Sequence, residues 1–202
     1  MPRNDYVLND HAQSFSSRNP RLWPRAARQI AFLEPLSLLV ALPFLAASPA
    51  AEAREYFVGG PVHEHDMEIV ANYLVGIEMA PMPPDMPTGQ DVIHLEADVH
   101  ATADNVYGYP DGAWVPYLTI EYSLERQDST WKANGKLRTM TAKDGPHYAD
   151  NVKMSGPGTY RVTYRFRPPE TNGFLRHTDK ETGVPPWWAP FSETFTFTYP
   201  QK

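Results

Sequence analysis

From residue 67 to residue 199 the chain repeatedly shows a period of two. In "WVPYLTIEYSLE" (114–125), Leu118, Ile120, Tyr122 and Leu124 alternate with Tyr117, Thr119, Glu121 and Ser123. Side chains of an extended strand point to opposite faces in turn, so this segment reads as a strand with one face buried. "DVIHLEADVHAT" (91–102), "KLRTMTA" (136–142), "GTYRVTYRFR" (158–167) and "FSETFTFTY" (191–199) repeat the pattern, and β-branched and aromatic residues dominate them. "MEIVANYLVGIEM" (67–79) is apolar enough to be a strand or a short helix. Turn signals lie between: "DNVYGYPDG", "KDGP", "SGPG" and "RPPETNG". No segment carries a capped helical period. Short strands at this spacing predict an all-β fold, an antiparallel β-sandwich.

The first 53 residues stand outside that pattern. Arg21, Arg25 and Arg28 precede the apolar run "PLSLLVALPFLAA" (35–47), and Ala51-Glu52-Ala53 closes it with small residues at alternate positions. A basic flank, an apolar stretch and such a site define an export signal. The run is too short and too rich in proline for a stable membrane span. Residues 1–53 therefore read as a signal peptide with an N-terminal extension, and residues 54–202 as one metal-binding domain exported to the periplasm. Residues 1–53 hold five of the 18 basic and four of the 24 acidic residues, leaving 13 and 20 and a net charge of −7. An acidic domain suits cations and disfavours nucleic acid. With no cysteine in the chain, neither disulfides nor thiolate-bound metal centres are available to it.

The chemistry-bearing residues centre on "HLEADVHA" (94–101). As a strand it places His94, Glu96, Asp98 and His100 on one face, backed by Leu95, Ala97 and Val99 on the other. His147 follows a tight turn in "KDGPHYADN", seven residues after Met140, and Asp144-Gly145-Pro146 can bring those two side chains together. His177 lies in the polar stretch "GFLRHTDKETGV". If His94, Met140, His147 and His177 converge, three imidazoles and a thioether suit copper in either oxidation state, and Glu96 adds the hard oxygen that Cu(II) prefers. Asp98 and Asp144 are oxygen donors for a harder ion such as iron or manganese. The competing reading makes the strand face a solvated surface and Met140 a core residue. "HEH" (63–65) reads as a polar lead-in to the first strand. "MAPMPPDMPTGQ" (79–90) is a proline-rich loop carrying Met79, Met82 and Met86. No hydrolase, P-loop or dinucleotide motif is present, and no catalytic residue is assigned.

"DMEIVANYL", "IHLEADVHA", "PYLTIEY", "DGPHY" and "GFLRHTDKETGV" before "PWW" follow one another in an order that resembles the periplasmic high-affinity iron-transport family. These are small copper-binding proteins that serve bacterial iron permeases. The resemblance implies an immunoglobulin-like sandwich and a homodimer with metal sites near its interface. It also implies copper ligands at His94, Glu96, Met140, His147 and His177, with Asp144 at an acidic position associated with a second metal. The expected function is copper and iron binding in iron uptake, without enzymatic activity, with delivery to an inner-membrane permease. The alternative is a copper carrier or resistance protein without an iron role. The signal reading makes a direct prediction: N-terminal sequencing of the exported protein will find Arg54 as the first residue, and an intact Met1 would refute cleavage.

Overall fold

The computed structural model describes residues 54–201. The expected signal peptide, residues 1–53, lies outside the described residues. Among the described residues nine strands are formed: β1 (Arg54–Glu64), β2 (Met67–Val75), β3 (Val92–Ala101), β4 (Thr119–Arg126), β5 (Lys132–Lys136), β6 (Arg138–Ala142), β7 (Gly145–Lys153), β8 (Gly158–Arg167) and β9 (Phe191–Tyr199). The helical content among the described residues is one 3-10 turn, Pro169–Asn172. The strands make two antiparallel sheets, ordered β1-β2-β3-β7-β6 and β5-β4-β8-β9. The fold is an antiparallel β-sandwich, as the alternation predicts, and of the immunoglobulin-like class that the family resemblance implies.

The core lies between the sheets. Ile120, Tyr122 and Leu124 of β4 and Tyr160, Val162, Tyr164 and Phe166 of β8 pack against Ile69, Ala71 and Tyr73 of β2 and Ile93, Leu95, Ala97 and Val99 of β3. Each set is spaced by two, and burying such side chains supplies roughly 1.5–3 kcal/mol apiece relative to exposure. The ambiguous segment after residue 67 is a strand, because its alternate residues Met67, Ile69, Ala71 and Tyr73 all enter this core.

The strand assignments need three corrections. The segment 114–125 does not extend from Trp114: Tyr117 has a φ of 63°, and β4 starts at Thr119. Residues 136–142 are not one strand. Lys136 pairs with β4, Arg138 pairs with β7, and the chain passes from one sheet to the other at the buried Leu137. β7 carries no clear alternation because His147, Tyr148, Ala149, Asn151 and Val152 are all buried, and a strand covered on both faces loses its polar beat. "HEH" is not a lead-in to the first strand: His63 and Glu64 end β1 and His65 opens its hairpin to β2, with His63 paired to Glu68 across the strands.

Tyr148 shows how the irregular entry to β4 is held. Its hydroxyl donates to the carbonyl of Val115 at 2.8 Å and accepts the N–H of Leu118 at 3.0 Å. Tyr148→Phe keeps the ring and strands both backbone groups away from water, at a cost of about 2 kcal/mol or more, since each unpaired buried group costs roughly 1–3 kcal/mol. Urea unfolding of the variant measures this directly. A loss below about 0.5 kcal/mol, the range of ordinary surface substitutions, would show that the two groups find other partners.

Candidate metal centre

His94, Glu96, Asp98 and His100 lie on the outer face of the five-stranded sheet, opposite the core face of Leu95, Ala97 and Val99. An outer face is ordinarily solvated, but this one is not. His94 is 4 % exposed and Glu96 8 %, because the segment from Gly76 to Pro87 folds over them. The solvated-face reading of "HLEADVHA" is therefore wrong at His94 and Glu96, although Asp98 and His100 are only half-buried.

Strand register assembles the cluster. Glu96 faces Ala149 of β7. His147 lies two residues from Ala149, on the same face and diagonal to Glu96, within side-chain reach. On its other side His147 is the direct cross-strand partner of Met140, because a two-residue turn at Lys143-Asp144 joins β6 to β7. One ligand atom each from His94, Glu96 and His147 lie within 4.8 Å of one another. Two ligands on opposite sides of one ion at ordinary bond lengths are about 4 Å apart, so a small side-chain adjustment lets these three share an ion. Met140, Asp98, Asp144, Glu55, Met79 and Met86 line the same cleft, of about 720 Å³.

The imidazoles are oriented by what lies behind them. Asn151, directly opposite His94 in the β3–β7 register, is 2.8 Å from its Nδ1 through Oδ1. The Asn151 amide nitrogen donates to the carbonyl of Pro87 at 3.0 Å. The amide oxygen is thus the acceptor, Nδ1 of His94 carries the hydrogen, and Nε2 keeps its lone pair. Such support behind a ligand is what fixes a metal-binding imidazole. His147 Nδ1 lies 3.3 Å from the carbonyl of Gly145 and 3.7 Å from Glu96 Oε1. Asn151 was not singled out from the sequence. Its signal, an Asn four residues after a candidate ligand, is too common to read without the register.

Burial pushes the Glu96 carboxyl up to about 8, with the nearby carboxylates Asp98, Glu55 and Asp144 adding to the shift. Burial also pushes the His94 imidazole down, more than its Asn151 hydrogen bond restores, and His147 adds to the lowering. Near neutral pH the cleft thus holds an unprotonated His94 beside a Glu96 that retains its proton. A cation would take that proton's place.

Two of the sequence-assigned acids sit at the edge of this arrangement. Asp98 accepts a hydrogen bond from Asn72 at 3.2 Å, and Asp144 is exposed in the β6–β7 turn. His177 does not lie beside the cluster: the structure brings together His94, Glu96 and His147, with Met140 on the wall of their cleft. The His177 side chain is 74 % exposed, in the loop between the 3-10 turn and β9. The loop is nonetheless built. Asp179 Oδ1 accepts the N–H groups of Glu181 and Thr182, and the Thr182 hydroxyl donates to Asp179 Oδ2 at 2.8 Å. Thr182 Oγ1 is therefore the acceptor for His177 Nδ1 at 2.7 Å, which leaves Nε2 of His177 with a free lone pair facing solvent.

A sequence model described as Fe2+ transport protein matches residues 52–200. The chain belongs to this Fe2+ transport protein family. Among the proteins it resembles is a UPF0423 protein of Brucella abortus (strain 2308), 42% identical over 85% of this chain and 92% of the relative. A 34 kDa membrane antigen of Treponema pallidum (strain Nichols) is 34% identical over 73% and 74% of the two chains. Solved structures with the same fold include a copper-bound variant of FetP from uropathogenic Escherichia coli strain F11, with a TM-score of 0.69 and 46% identity over 73% of this chain and 98% of that one. The copper-reconstituted P19 protein of Campylobacter jejuni aligns with a TM-score of 0.69 and 43% identity over 73% and 97%.

The raised Glu96 carboxyl gives a signed pH dependence. Folded Glu96 holds its proton up to about pH 8, whereas unfolded it releases it near its ordinary value of about 4.3. Between those limits the folded state binds the extra proton, so the stability of the metal-free protein falls as pH rises. Metal affinity should rise over the same window, with a proton released on binding. Thermal unfolding from pH 5 to 8 will show the decline, and Glu96→Gln will flatten it. An unchanged slope in Glu96→Gln would assign the decline to another group.

Proposed function

We propose that this chain is a periplasmic copper- and iron-binding component of high-affinity iron uptake that passes iron to an inner-membrane permease. The observation that carries the reading is the buried His94–Glu96–His147 cluster with Met140 on its wall. Two imidazoles, a thioether and a carboxylate form a set of mixed softness that fits copper in either oxidation state. Zinc seldom takes a thioether, and the chain has no thiolate to offer. The copper-bound FetP variant and copper-reconstituted P19 support the same ion. Bound copper would supply a Cu(I)/Cu(II) couple, with Glu96 favouring the cupric and Met140 the cuprous ion.

Iron is the cargo in this reading. The family description supports an iron role over that of a copper carrier alone. Asp98 and Asp144, on the wall of the same cleft, supply the hard oxygens that iron, or manganese, would take. Exposed and set in its tautomer, His177 suits a ligand donated to a second copy of the chain. The working unit is thus a homodimer in which His177 of each copy completes the site of the other. Binding and delivery, with no catalytic group, account for every residue assigned.

Copper titration of the mature dimer tests the assignment. His94→Ala, His147→Ala and His177→Ala should each weaken copper binding by about tenfold or more, since even supporting groups reach that range. His63→Ala, on an exposed pair with Glu68, should leave the tight site unchanged. Mixing His147→Ala with His177→Ala chains and re-forming dimers distinguishes donation between chains from donation within one. A mixed dimer pairs an intact cluster with an intact His177 and should regain one tight site. No recovery would place His177 outside the copper site or within its own chain's.

A further inference from the structure

The covering segment between β2 and β3 does more than exclude water. It carries Met79, Met82 and Met86 within eight residues, among Pro81, Pro83, Pro84 and Pro87. Met86 is 6 % exposed, yet it lies outside the contiguous core between the sheets. It is buried instead against the cleft that holds His94, Glu96 and His147, where Met79 and Met140 also lie. Met82 is 39 % exposed and lines an adjoining cleft of about 350 Å³. His94 borders both clefts, as do Leu74, Gly76, Ile77 and Glu78. The thioethers thus grade from exposed Met82, through half-buried Met79, to buried Met86, and the series ends at Met140 and His94.

The segment is held in register with the cluster. Arg138, two residues before Met140 on β6, donates to Asp85 through Nη1 at 3.1 Å and Nη2 at 2.5 Å. Asn151 binds the Pro87 carbonyl from below. These two anchors bracket Met86, and the prolines restrict the backbone between them. A methionine serving only as apolar filler needs neither a place in a polar cleft nor companions of its own kind along the approach to it.

Resting on the copper reading above, we propose that Met79, Met82 and Met86 form a thioether relay that accepts monovalent copper at the surface and passes it to the His94–Glu96–His147 cluster. A thioether is soft and uncharged, so it favours Cu(I) over Cu(II), iron or manganese, and no proton competes for it. Isolated thioethers along the segment also bind more weakly than two imidazoles and the Met140 thioether acting together, which makes transfer inward downhill. The donor is any partner that presents cuprous ion at the Met82 end.

The test compares the wild-type protein with the Met79→Leu/Met82→Leu/Met86→Leu variant, in which apolar volume is kept and sulfur removed. Anaerobic uptake of Cu(I) from a chromophoric cuprous chelator and uptake of Cu(II) are timed separately. Methionine-methyl NMR follows Ag(I), a diamagnetic stand-in for Cu(I). The variant should take up Cu(I) about tenfold more slowly or worse, the scale at which ligand changes act on metal sites. Its final stoichiometry and its Cu(II) uptake should be unchanged, and Ag(I) should shift the methyls of Met79, Met82 and Met86 in the wild type. Equal Cu(I) rates in the two proteins would overturn the relay and leave the copper reading standing. Equal slowing of both ions would also overturn it, making the segment a steric gate. A wild-type protein that takes up neither ion would sink the copper reading, and the relay with it.

Discussion

The side chain of Asn151 ties together the three parts on which the centre depends. Its oxygen holds Nδ1 of His94 on β3, its nitrogen holds the Pro87 carbonyl of the covering segment, and its backbone belongs to β7. Both of its side-chain polar atoms are used, and the contact to His94 is shielded from water, where an unmade hydrogen bond is costly. Without that amide the segment would lose one of its anchors beside His94, and the imidazole would lose the partner that sets its tautomer. The sandwich itself asks nothing of Asn151, because its core lies on the other face of the sheet.

Covering a polar sheet face has a free-energy cost that hydrophobic burial elsewhere must offset. A carboxyl kept protonated to about pH 8 and an imidazole kept neutral by burial are signs of that cost. Both are relieved by one positive charge placed among them. The four-stranded sheet supports the same point from behind: the hydroxyl of the buried Tyr164 donates to the carbonyl of Glu96 at 3.1 Å, across the core. The strand that bears His94 and Glu96 is thereby tied to both layers, a rigidity that suits a preorganised site.

His177 is organised on the opposite principle. Its loop is exposed and held by its own Asp179–Thr182 hydrogen bonds, independent of the sheet face. Presenting a side chain fixed in tautomer to solvent costs little within one chain. The buried cluster and the exposed imidazole contrast in this respect, one enclosed beneath the covering segment and the other presented to solvent.

Much of the fold was legible locally. Alternation in 118–124 and 158–167 depends on one strand facing one core, and any such strand must alternate. The ligand types at His94, Glu96, Met140 and His147 were legible for the same reason, as was the exclusion of thiolate chemistry by the missing cysteines. β7 was not legible, because both of its faces are covered and its pattern is lost. Nor were the change of sheet at Leu137, the role of Asn151 and the separation of His177 from the cluster, since each follows from register between segments distant along the chain. The sequence by itself determined which atoms could bind a metal and that they would ride on a sandwich. Only the tertiary structure decided that His94 and Glu96 are dry and that Glu96 keeps its proton, because the dielectric around a side chain is set by whatever part of the chain folds over it.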